Sequence, residues 1–93
     1  METTTVHVLF ERTRRDARPV AVTARQPLAE SARMTVEREA LSAGYVFVLY
    51  RGGRTCKVLS ASVHRDQVEK VKGRITKRPE AYAIVQLPVV EVF

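Results

Sequence analysis

Tryptophan is absent from this chain, cysteine occurs once, and aromatic residues make up 6% of its 93 residues. The lone cysteine, Cys56, excludes an intrachain disulfide and a cysteine-based zinc site, and it suits a reducing cytoplasm. With so few rings, the core must be built mainly from Val, Leu, Ala and Ile. His7 and His64 are the only histidines, and neither has a second ligand at metal spacing, so no metal is expected. Glycine-rich phosphate loops, a dinucleotide fingerprint and a nucleophile elbow are missing. No cofactor is therefore expected, and the chain reads as a non-enzymatic protein. Its first residues, METTTVHVLFERTRRD, hold no basic segment followed by an apolar one, so no signal peptide is expected. No apolar run nears the ~20 residues that span a bilayer. The expected setting is cytoplasmic, without a membrane partner. No motif names a family.

Hydrophobic residues make up 45% of the chain, enough to bury a core, and its length suits a single domain over residues 1–93. Residues 3–12 alternate, with Val6, Val8 and Phe10 on one side, as in a half-buried strand. The charged TRRDAR follows, and residues 19–24 alternate again, so a hairpin with a basic tip is expected. Residues 25–45, RQPLAESARMTVEREALSAGY, read as a helix, with Pro27 at its start and Gly44 just past its end. A helical sweep gathers Leu28, Ala32, Val36 and Ala40 on one stripe and leaves Met34 and Leu41 on the far side.

Residues 45–50 are apolar throughout, as in a central strand covered on both faces. Residues 55–60 alternate, with Cys56 and Val58 inward. Gly52-Gly53 between these runs suits a two-residue type I′ turn. Residues 62–75 read as a second helix capped by Ser60 or Ser62 and ended by Gly73, and residues 81–87 as a last strand. The expected fold is α+β, β-β-α-β-β-α-β, with one mostly antiparallel sheet of about five strands and two helices on one face. No internal repeat stands out.

The net charge of +6 is unevenly spread. Residues 1–50 carry net +1, residues 51–78 net +7, and residues 79–93 net −2. Arg51, Arg54, Lys57, Lys70, Lys72, Arg74, Lys77 and Arg78 form the basic segment, and Arg14 and Arg15 stand at the first hairpin tip. Such a surface suits phosphate contacts, hence nucleic acid or a nucleoprotein complex, or an acidic protein surface. A solvated face, with lysines drawn to a helix C-terminus by its dipole, is the plainer reading. Stacking of bases needs exposed rings, and only Tyr45, Tyr50 and Tyr82 stand in or near the segment; their strand positions favour burial.

Met34 and Leu41 read as part of a wide buried stripe or as a small apolar interface. Val92 and Phe93 end an apolar tail suited to a sheet edge, a partner or a homodimer. His64-Arg65-Asp66 supplies a base, a cation and a carboxylate, the parts of a small ribonuclease. Neighbours on a helix point apart, so the triplet is weak. The first expectation is a binding module for nucleic acid. The alternative is a phage-type protein-binding inhibitor of a host defence complex.

Overall fold

The computed structural model describes residues 2–28 and 30–91. Strand β1 (Thr3–Arg12) follows its alternation: Val6 and Val8 are fully buried and Phe10 packs against the same cluster. Thr13 closes the turn, its N–H donating to the Asp16 carbonyl and its Oγ1 accepting from the Asp16 N–H. Strand β2 (Ala17–Thr23) then returns antiparallel to β1.

The expected first helix is mostly a strand. Residues 31–37 form β3 (Ser31–Glu37), antiparallel to the other edge of β1, with Val6 opposite Met34 and Val8 opposite Ala32. Both periods fit this stretch, because Ala32 and Val36 are four apart while Ala32, Met34 and Val36 also alternate. The open edge of β1 decides between them, since pairing satisfies a whole row of backbone groups. Only α1 (Glu39–Ala43) remains helical, and Gly44 ends it in a left-handed conformation, φ 84°, its N–H donating to the Ala40 carbonyl.

Strand β4 (Tyr45–Arg51) lies between β5 (Lys57–Ser62) and β6 (Tyr82–Pro88), all antiparallel. Helix α2 (Arg65–Gly73) covers the outer face of this sheet, burying Val68 and setting Arg65 over the Phe47 ring. Gly73 does not end α2 in left-handed geometry; Arg74 caps it in a right-handed one. The Gly52-Gly53 turn also departs from expectation. Residues 52–56 form the connection, and only Gly53 has positive φ, 128°. The architecture is α+β, but with two three-stranded sheets in place of one sheet of five strands.

Those sheets repeat each other. The orders are β2-β1-β3 and β5-β4-β6, with the earliest strand central in each. Val6, Val8, Leu9 and Phe10 correspond to Val46, Val48, Leu49 and Tyr50. Each hairpin carries a bulge at the same step, between Leu9 and Phe10 and between Leu49 and Tyr50. The extra residues, Val20 and Leu59, are both pushed outward, at 39% and 40% exposure. Thr23 and Ser62 correspond too, and each accepts a hydrogen bond from the N–H two residues on. The sequence likeness, VHVLF against VFVLY, is too short to reveal this alone.

The two sheets close over one core of Val6, Val8, Val22, Val36, Val46, Val48 and Leu87. Edge β3 meets β5, and edge β2 meets β6, the exchange an approximate two-fold requires. At the second seam Val22 bridges Val89, and the Val90 N–H donates to the Val22 carbonyl.

At the first seam Glu37 accepts from Ser62 Oγ at 2.9 Å and from the Val63 N–H at 2.8 Å. Burial alone pushes the Glu37 carboxyl up, but these hydrogen bonds and the nearby His64 outweigh it and hold it below its ordinary 4.5. A carboxyl depressed in the folded state stabilises above its unfolded value and loses that contribution as pH falls through its folded value. Glu37→Gln is therefore expected to be less stable than the wild type at neutral pH, the difference shrinking below pH 4.5. Urea unfolding across pH measures it; a gap that stays constant into acid would exclude this role.

Candidate functional site

The two basic hairpin tips converge. Asp16 Oδ1 accepts from the Gly53 N–H at 3.0 Å, and the Ala17 N–H donates to the Gly53 carbonyl at 3.0 Å. Arg12 adds a third link, donating to the Arg54 carbonyl at 3.4 Å. A carboxylate from one turn thus holds the backbone of the other. Arg12, Arg14, Arg15 and Arg54 surround a shallow cleft over this clasp.

Ion pairing sorts the cations of the chain. Arg12 pairs with Glu30, Arg18 with Glu11, Arg38 with Glu2 and Arg65 with Glu69. Among the described residues, the ten cations marked by the sequence have no such partner: Arg14, Arg15, Arg51, Arg54, Lys57, Lys70, Lys72, Arg74, Lys77 and Arg78. Arg33, on β3, is also unpaired. Arg14, Arg15 and Arg54 belong to the clasped tips, and Arg51 and Lys57 face each other at the end of the second hairpin. Lys70 and Lys72 lie in the last turn of α2, whose dipole favours them, and Arg74 follows as its cap. The chain then passes Lys77 and Arg78 and enters β6 at Tyr82, directly opposite Arg51.

Arg78 is the only non-glycine residue with positive φ among those described, 48°, immediately before Pro79 and the short 3-10 turn Pro79–Ala81. A left-handed arginine before proline costs on the order of 1 kcal/mol. It is held there by a cap in which the Ala81 N–H donates to the Arg78 carbonyl.

Cys56 is half-buried at the start of the second hairpin's return. Burial, and secondarily the Asp16 carboxylate, push its thiol above the ordinary value. Asp16→Asn is expected to shift the pH profile of Cys56 alkylation downward and to speed the reaction at neutral pH. An unmoved profile would mean that the clasp carboxylate does not reach the thiol.

The remaining sequence candidates separate. Met34 lies on β3, half-buried against the core, and not on an outer helix face; Leu41 lies on α1 at 40% exposure. The pair therefore forms no common patch of the expected kind. Val92 and Phe93 fall outside the described residues. His64 is the N-cap residue of α2 and its Nε2 sits 2.9 Å from Glu39 Oε1, an intramolecular tie between the halves. Sequence reasoning missed Asp16 and Glu37, whose partners lie far along the chain, and left Tyr82 as a strand residue. No protein-family model, curated protein or solved structure matches the chain.

Proposed function

We propose that this is a non-enzymatic, cytoplasmic nucleic-acid-binding protein whose contact surface is the basic end formed by the clasped hairpin tips and the 74–82 segment. The observation that carries the reading is the convergence of both tips through Asp16 and Gly53, with Arg14, Arg15, Arg51 and Arg54 left without carboxylate partners. A fold that merely needed solubility would gain from interspersed acids, as on β1 and β2, where Glu11 neutralises Arg18. Unpaired arginines on two turns tied together by hydrogen bonds suit the displacement of counterions from a phosphate backbone.

Fluorescence anisotropy with short RNA and DNA oligonucleotides across salt tests this. Affinity is expected to fall steeply and log-linearly with salt. In a double variant, Arg14→Ala with Arg15→Ala, the slope is expected to fall by about 1.4, each lost contact to a single strand contributing about 0.7. An absence of binding at low salt, or binding indifferent to salt, overturns the reading.

A further inference from the structure

Beside the clasped tips lies an open cleft of about 470 Å³ bounded by Arg51, Lys77, Arg78 and Tyr82. Its four walls come from the end of β4, the loop after α2 and the start of β6, so packing of the second sheet assembles it. Of the three tyrosines, Tyr45 stands edge-on to Phe47 at 5.7 Å, and both Tyr45 and Tyr50 pack against the core. Tyr82 does neither. It is half-buried, and no ring contact or hydrogen bond to another described residue engages its side chain.

The repeated architecture supplies a comparison inside the same molecule. In the first half, the position of Arg51 is occupied by Glu11, which pairs with Arg18 opposite it at 2.9 Å. In the second half, the same cross-strand position sets Arg51 against Lys57. An ion pair in one half is a repulsive pair of cations in the other, and like charges directly opposite destabilise a ladder. No carboxylate lines the cleft, and Glu80 nearby is not part of its wall. The uncompensated charge, the unengaged ring and the left-handed Arg78 fall at one place.

Resting on the proposed function, we infer that this cleft receives one unpaired nucleotide of a single strand. Its base stacks on Tyr82, and its flanking phosphates are held by Arg51, Lys77 and Arg78. A base inside a duplex is stacked on both faces and has none to offer to Tyr82, so the cleft makes the protein prefer single strands. A π-face is common to all bases, so the preference is for strandedness over sequence.

The test compares oligouridine RNA, oligothymidine DNA and a duplex of equal phosphate number, with wild type, Tyr82→Leu and Tyr82→Phe. Tyr82→Leu keeps an apolar side chain and removes the π-face; circular dichroism and thermal melting show that each variant folds. Tyr82→Leu is expected to weaken single-strand binding about tenfold and so to narrow its margin over duplex binding, with the salt slope unchanged. Tyr82→Phe is expected to bind as the wild type does. Unequal wild-type affinities for RNA and DNA single strands, with both falling equally in Tyr82→Leu, would place sugar recognition outside the stacking contact and still support it. Equal wild-type affinity for single strand and duplex, or an unaffected Tyr82→Leu, overturns the nucleotide cleft while salt-dependent binding still stands. Loss of all binding in the wild type would overturn the proposed function and this inference together.

Discussion

Leu49→Ala is expected to lower the unfolding free energy by about 3 kcal/mol, while Leu9→Ala, its counterpart in the other half, lowers it by about 1 kcal/mol or less. The two residues hold the same place in the repeated hairpins, each just before the bulge. Their surroundings differ. Leu49 is fully buried, in phase along β4 with Phe47 on the face that α2 covers. Leu9 is half-buried on the outer face of the first sheet, where no helix among the described residues lies. Removing three carbons beneath α2 leaves a cavity that the helix cannot follow, whereas the gap at Leu9 opens to solvent. Urea unfolding of the two variants measures the difference. Equal costs would mean that α2 does not seal its sheet.

Arg51→Glu is expected to move stability and binding in opposite directions. It recreates across β4 and β5 the charge pairing that Glu11 and Arg18 make across β1 and β2. Replacing a like-charge pair by an opposite one should stabilise by about 0.5 kcal/mol, less at high salt. Nucleic-acid affinity at low salt should fall on the order of thirtyfold, two unit charges having changed beside the phosphate path. A variant that is both more stable and a weaker binder marks a position kept unfavourable for the sake of a ligand. If stability rises and affinity is unchanged, the cation pair is a tolerated surface defect and the basic end is not the contact surface.

What the sequence discloses of this fold depends on the range of the interaction. Strand β1 is legible at its observed bounds because Val6, Val8 and Phe10 alternate without ambiguity. The second helix is legible in kind but not in extent, since residues 62–75 read as helical and α2 spans Arg65–Gly73. Residues 31–37 were misread because alanine suits both periods and because the deciding partner, the free edge of β1, lies far upstream. The basic residues were visible one by one. Their assembly was not, because it rests on Asp16 reaching Gly53 and on β6 beginning opposite Arg51. The repeat escaped notice because five similar residues specify little, whereas a bulge at the same register in both hairpins specifies much.

Among the described residues, every ladder between the strands β1 to β6 lies within residues 3–37 or within residues 45–88, with the isolated Val22–Val89 bridge crossing between the halves. Backbone pairing is therefore expected to begin with a hairpin in each half, closed by a loop of only a few residues, and loop closure of that length takes well under a microsecond. The third strand of each sheet adds to a ladder already formed. What remains is the docking of two preformed valine faces, so the chain should refold faster than an all-β protein of its length whose neighbouring strands come from opposite ends of the sequence.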